Sequence, residues 1–279
     1  MSHTSSPRVP LSVLILTKNE EQRLPGCLRS VESCDDVVVL DSGSTDRTVE
    51  IARAAGARVL VHPFRNFAQQ RNHGMEAGQF RHPWVFHLDA DEEMTPELIA
   101  ECAALPSDAP FDGYYAAPRM MFHGHWLKRC TDFPAWQARC VRVGKFRFVQ
   151  AGHGQREAPD MRMGYLRESY LHDISAPDLN HWDAKHRKYA REEADAFLAQ
   201  PAAPLRQLWS RDALARRRAL KHLSYALPAR PLMRFIYQYV LRGGFLDGRL
   251  AWRYCCLLAR YERFATEALR EARQTPPRT

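Results

Sequence analysis

The sequence predicts an α/β protein: a mostly parallel sheet with helices on both faces, followed by a basic helical extension. From residue 11 to 104, short apolar β-branched runs alternate with helix-compatible stretches. That β-α-β rhythm implies a parallel sheet. Polar clusters follow three of the runs, after Leu16, Leu40 and Leu88. Open sheets of this type bind ligands at the carboxyl ends of their strands. Charge is also divided: residues 201–279 hold 16 Lys+Arg against 5 Asp+Glu, while residues 1–200 hold 24 against 27.

The first strand is Leu11-Ser12-Val13-Leu14-Ile15-Leu16, a run apolar enough to be buried. Asn19 follows as a candidate helix cap with Glu20 and Glu21 behind it, and the helix buries Leu24, Leu28 and Val31. Val37–Leu40 is the second strand, ending in the turn Asp41-Ser42-Gly43-Ser44-Thr45-Asp46 before a helix over 47–55. Ser44 or Thr45 is the expected cap of that helix. Arg58–Val61 is the third strand and 66–78 a helix. Trp84–Leu88 is the fourth strand, ending at Asp89-Ala90-Asp91-Glu92, and a helix runs from about Pro96 to Ala104. Residues 112–170 read as short strands and loops, and about 178–274 as three or four helices divided at Pro201, Pro204, Pro228 and Pro231. The expected domains are a flexible 1–8, a catalytic 9–176, a helical 177–274 and a frayed 275–279.

Composition narrows the class. Hydrophobic content of 45% and charged content of 26% suit a globular chain. Seven cysteines without a C-x-x-C pair read as buried thiols in a reducing cytosol, not as a disulfide frame or zinc site. The first residues are polar and carry no leader-like apolar core. No run of about 18 uncharged apolar residues occurs, because Arg234, Arg242, Arg249 and Arg253 break the most apolar C-terminal stretch.

Asp89 and Asp91 close the fourth strand. Residues i and i+2 of a strand point the same way, so both carboxylates are expected at one spot with Ala90 turned inward. Converging carboxylates repel unless a cation lies near. Hard oxygen ligands at an open site suit Mg²⁺ or Mn²⁺ carrying a diphosphate. At the second strand end, Gly43 permits an unusual backbone angle, and Asp41 could accept from a base or ribose.

Thr17-Lys18-Asn19-Glu20-Glu21, Asp41 to Asp46, Gln70-Arg71-Asn72 and Leu88 to Glu92 stand in an order and spacing that resembles the inverting family 2 glycosyltransferases with the GT-A fold. Phe67 to Asn72, Gln137-Ala138-Arg139 and Gly244-Phe245-Leu246-Asp247-Gly248 are similar to one branch, the lipopolysaccharide core β-1,4-glucosyltransferase type. The resemblance implies a UDP-sugar donor and a nucleotide pocket of Thr17, Asn19, Glu20, Asp41, Ser42, Arg71 and Asp89. Asp41 would lie near uracil or ribose, and Arg71 near the diphosphate or under the pocket floor. Asp89, Asp91 and His172 would serve the metal, and Glu92 would orient them or cap the next helix. Inversion needs a base for the acceptor hydroxyl. Glu157, in Gly154-Gln155-Arg156-Glu157, is the expected one, and Asp132 the alternative.

The basic extension interleaves Arg206, Arg211, Arg216, Arg217, Arg218 and Lys221 with Leu208, Trp209, Leu214 and Leu220. Basic amphipathic helices with aromatics suit an anionic membrane surface. A lipid-linked glycan acceptor on the cytoplasmic membrane face would account for that, with the protein peripheral there. No nucleic-acid-binding motif accompanies the charge. A nucleotidyltransferase would want a Gly-rich basic loop after the first strand, and Thr17-Lys18-Asn19-Glu20 is not one. A non-catalytic membrane- or glycan-binding module is the remaining alternative, against which Asp89 and Asp91 speak.

Overall fold

β1 spans Val9–Thr17, and its last seven residues are all buried. A strand covered on both faces reads as a continuous apolar run, not an alternating one. A computed structural model of the chain describes residues 8–151, 154–176, 178–199, 205–226 and 229–274. Of the expected flexible 1–8 all but Arg8, the expected frayed 275–279, and Pro201, Pro204 and Pro228 lie outside them.

Chain order continues through α1 (Leu24–Ser30), β2 (Cys34–Asp41), α2 (Thr48–Ala54), β3 (Arg58–Val61), α3 (Phe67–Ala77) and β4 (Trp84–Asp89). Then come β5 (Glu92–Glu93), α4 (Pro96–Ala103), β6 (Gly113–Phe122), β7 (His125–Trp126), β8 (Gln137–Arg142), β9 (Phe148–Ala151), β10 (Gly154–Glu157) and β11 (Met163–Asp173). The main sheet has the order β3-β2-β1-β4-β8-β6-β11-β5. β1 pairs in parallel with β2 and β4, β2 with β3, and β6 with β11. β8 runs antiparallel between β4 and β6, and β5 antiparallel to β11. β9 and β10 form a separate two-stranded ribbon.

Side-chain alternation along β1 builds the layers. Leu11, Val13 and Ile15 join Leu24 and Leu28 of α1, Ala52 of α2, and Leu98 and Ile99 of α4 in one core. Leu14 and Leu16 face the other way, with Val38, Leu40 and Met75 of α3. The sheet is therefore covered on both faces. Gly74 lets α3 sit close, since a Cβ there would stand 2.5 Å from the Leu14 side chain. That approach carries Arg71, three residues earlier, beneath the end of β4.

The chain divides into two units, one of residues up to 121 plus 132–174, the other 122–131 plus the chain from 175 onward. In the second unit, α5 (Leu179–Leu198) packs Trp182, Ala190, Ala194 and Phe197 against Phe264, Ala265, Ala268 and Leu269 of the last long helix. Between them lie α6 (Ala213–Ala226) and α7 (Arg230–Phe235), which starts with Pro231 in its first turn. α7 runs on into a π-helical segment, Ile236–Leu241, and a 3₁₀ turn, Gly244–Asp247. α8 is Arg249–Gln274. The Gly244–Gly248 motif has a structural task here. The buried Asp247 carboxylate accepts the backbone N–H of Arg129 (2.6 Å) and of Cys130 (3.2 Å), fixing the 122–131 segment. All seven cysteines are free, and Cys256 alone of them is exposed.

Candidate active site

The polar clusters meet at the carboxyl ends of β1, β2 and β4, as expected. Asn19 does not cap α1, which begins five residues later. It occupies the left-handed region (φ 55°), which Asn tolerates. From there it braces two loops: its N–H donates to Ser44 Oγ (2.8 Å), and its Oδ1 accepts from the Thr45 N–H (2.8 Å). The Glu20 N–H donates to Thr48 Oγ1 (2.9 Å), extending the clasp. The turn before α2 is tied by Asp46, which accepts from the Thr48 N–H (3.0 Å), so neither Ser44 nor Thr45 is that helix's cap.

Asp41 is 1% exposed and spent on its own turn. Its Oδ1 accepts the N–H groups of Gly43 (3.0 Å) and Ser44 (2.9 Å), and its Oδ2 takes the Ser44 hydroxyl. These bonds fix the turn that follows β2. Ser42 Oγ accepts from Gln70 Nε2 (3.1 Å). Thr17 Oγ1 is buried, with no hydrogen-bond partner among the described residues.

The two aspartates diverge from the strand expectation. β4 stops at Asp89, so the two-residue alternation does not reach Asp91, which lies in the following turn. Ala90 is buried. Asp89 Oδ1 accepts from Arg71 Nη2 (2.8 Å), and Oδ2 from Arg139 Nη1 (3.3 Å) and Nη2 (3.4 Å). Burial would raise Asp89, but the Arg71 and Arg139 charges outweigh it and hold the carboxyl down at about 2. Two guanidiniums already neutralise its charge. Arg71 is 1% exposed and also lies 5.9 Å from the Phe148 ring centre.

Asp91 has other partners. Its Oδ2 lies 3.5 Å from Arg23 Nη1 and 3.6 Å from His172 Nε2. The short β5 makes this meeting possible, because its pairing sets Glu92 opposite His172. Asp91 and His172 are both partly exposed, with side chains 22% and 27% accessible. Burial would lower the His172 imidazole, but the nearby Asp91 and Glu92 carboxylates outweigh that and raise it. Among the described residues no cluster of three or more His, Cys, Asp or Glu forms a complete cage for an ion. An oxygen-and-imidazole pair suits Mn²⁺, and Mg²⁺ with more difficulty, when a substrate diphosphate completes the shell.

Glu92 is an orienting group and not a helix cap. Its Oε2 accepts the Asp89 N–H (2.9 Å), and its Oε1 accepts from Arg139 Nη2 (2.7 Å). Burial pushes Glu92 up to about 7 against the pull of Arg139. α4 is capped by Thr95 instead.

The sequence motifs include Arg139 but assign it no task. It is the hub, 3% exposed, bonded to Asp89, Glu92, Tyr170 Oη (3.1 Å) and Gln137 Oε1 (2.8 Å). The available signal was an arginine inside the run Ala138-Arg139-Cys140-Val141. A charge in a buried strand requires partners.

Gln137 also lines a cavity of about 410 Å³ with Tyr115, Trp136, Phe148, Glu157 and Tyr165. Glu157 ends β10 and lines this cavity together with Tyr115. Burial first, then that carboxylate, pushes the Tyr115 phenol up to about 12. Asp132 stands exposed on the loop before β8 and does not line this cavity.

A parallel sheet with acidic and hydroxyl-bearing loops at the ends of β1, β2 and β4, extended by an antiparallel strand and a ribbon, defines a GT-A enzyme. The chain is 30% identical over 212 residues to the lipopolysaccharide core biosynthesis glycosyltransferase LpsC of Rhizobium meliloti, covering 71% of this chain and 75% of that one. It is 36% identical over 206 residues to an uncharacterized glycosyltransferase of Rickettsia bellii, covering 70% and 69%. The Glycosyl transferase family 2 profile matches residues 12–150. The chain belongs to the family 2 glycosyltransferases and is a glycosyltransferase. A similar fold occurs in the mannosyltransferase PcManGT of Pyrobaculum calidifontis, solved with GDP-Man and Mn²⁺ (TM-score 0.50, 15% identity, 94% of this chain and 87% of that one).

Proposed function

We propose that this enzyme inverts configuration while moving a hexose, glucose by preference, from a UDP-sugar to a lipopolysaccharide-core or other lipid-linked glycan. The observation that carries the reading is the partly exposed Asp91–His172 pair beside an Asp89 already neutralised by Arg71 and Arg139. The name of the Rhizobium relative supports a lipopolysaccharide-core acceptor, and the branch resemblance supports a β-1,4 product. Asp91 and His172 would hold Mg²⁺ or Mn²⁺, which stabilises the departing nucleoside diphosphate as a Lewis acid. Thr17, Asn19, Glu20 and Ser42 frame the nucleotide end of the pocket. Glu157 takes the acceptor hydroxyl proton as that oxygen attacks the anomeric carbon and the bond to the diphosphate breaks.

Thermal unfolding with a panel of UDP-glucose, UDP-galactose and GDP-mannose, with and without Mn²⁺, tests the donor. A ligand at about 100 times its Kd adds roughly 2.7 kcal/mol to the folded state. The expected result is stabilisation by a UDP-sugar that needs Mn²⁺, with the Mn²⁺-dependent part lost in Asp91→Asn. A melting temperature indifferent to every donor would sink the reading.

The second unit supports a peripheral membrane position on the cytoplasmic face. Its exposed apolar residues include Leu232, Ile236, Val240, Leu241, Phe245 and Trp252, with Arg249 and Arg253 exposed nearby in the chain. The side chains of Leu214, Arg217, Arg218 and Lys221 lie outside the described residues. No described helix is long and apolar enough to cross a membrane. Apolar insertion plus roughly 1 kcal/mol per basic residue favours anionic lipid. The protein is expected to float with phosphatidylglycerol-rich vesicles and stay down with pure phosphatidylcholine. Leu241→Glu with Phe245→Glu should abolish flotation, and flotation unchanged by the pair would disprove insertion there.

A further inference from the structure

We infer that Trp136 and Tyr165 form a stacking corner for one pyranose ring of the acceptor, holding its hydroxyl against Glu157. This inference rests on the reading of Glu157 as the base. The two side chains are 43% and 61% exposed, an unusual state for large aromatics beside a cavity. Trp and Tyr rings carry large apolar faces whose burial normally dominates packing energetics. Their ring centres stand 5.0 Å apart with planes 80° to each other, so one ring makes a wall and the other a floor. Tyr115 continues the surface, 5.1 Å from Tyr165 with planes at 42°.

The rest of the lining is polar and chemically matched to a sugar. Gln137, Gln155, Arg156 and Glu157 offer donors and acceptors around the same cavity of about 410 Å³. A pyranose has an apolar C–H face and a rim of hydroxyls. An aromatic corner with amides, a guanidinium and a carboxylate at its edge complements both. A purely apolar ligand would leave those polar groups desolvated and unpaired, and a bare phosphate would leave the aromatic faces unused. The occupant is the acceptor sugar because Glu157, the proton-accepting group, lies in this cavity, while the nucleotide-facing loops after β1 and β2 contribute nothing to its lining.

The test uses the full chain, with Trp136→Ala and Trp136→Phe, and two direct probes: methyl β-glucopyranoside and core oligosaccharide released from lipopolysaccharide by mild acid. Saturation-transfer NMR reads sugar binding without turnover. Transfer to a probe's ring protons in the wild type, lost in Trp136→Ala and partly kept in Trp136→Phe, supports the inference. No transfer to either probe in the wild type, or undiminished transfer in Trp136→Ala, overturns it. Kinetics supply the second readout. Trp136→Ala should raise the acceptor KM about tenfold, equivalent to about 1.4 kcal/mol, with UDP-sugar stabilisation unchanged. An unchanged acceptor KM, or equal losses on the donor side, contradicts a stacking role. Failure of UDP-sugar binding in the wild type would instead strike the donor reading, and the NMR result would stand on its own.

Discussion

An Arg139→Met variant is expected to lose about 3–5 kcal/mol of folding stability, the cost of leaving buried charges without their partner. Met keeps much of the volume, so the loss isolates the charge. Glu92, 1% accessible, loses its 2.7 Å guanidinium partner. Asp89 keeps only Arg71. For a unit of this size each kcal/mol moves the midpoint by roughly 2–4 °C. Calorimetry should therefore show a fall of roughly 6–20 °C. The exposed pair Arg147–Asp160, with side chains 66% and 62% accessible, is the internal control. Its removal should cost at most about 1 kcal/mol. Adding Glu92→Gln to Arg139→Met should restore part of the loss, because the uncompensated carboxylate is then gone. If Arg139→Met and Arg147→Met prove equally mild, the buried hub is not what holds the strand ends together.

That hub marks where the sequence stopped being readable. The strands and helices of the first hundred residues follow from local pattern: Val9–Thr17 is apolar throughout because both faces are covered, and α3 fits its helical reading from Asn66 onward. The site was legible as a set of strand-end clusters for the same reason. What pattern could not supply was which cluster member bonds to which. Asp89 and Asp91 sit two apart in sequence but serve different partners, because the strand ends at the first of them. His172 reaches Asp91 only through β5, a two-residue antiparallel pairing with no hydrophobic signature. Asp41 also accepts two N–H groups of its own turn, which no local periodicity signals. Local periodicity fixes elements, whereas long-range pairing decides which side chains each carboxylate meets.

Glu157 lines the cavity beside Gln137, and Glu157→Gln is expected to lower kcat by 10²–10⁴-fold, the usual contribution of a positioned base. Gln is nearly isosteric, and the β9–β10 ribbon is held by its backbone pairing, so it should survive. Donor binding, read as thermal stabilisation by UDP-sugar, should be unaffected because the loops after β1 and β2, proposed to hold the nucleotide, do not line this cavity. A fall in kcat with unchanged donor binding identifies an interaction made only as the acceptor oxygen attacks. Asp132→Asn is the matching control: this exposed loop residue does not line the cavity, and its loss should change kcat less than about threefold, under roughly 0.7 kcal/mol of barrier. The reverse outcome, a crippled Asp132→Asn beside an active Glu157→Gln, would move the proton to the loop before β8. The cavity beside Gln137 would then need another occupant.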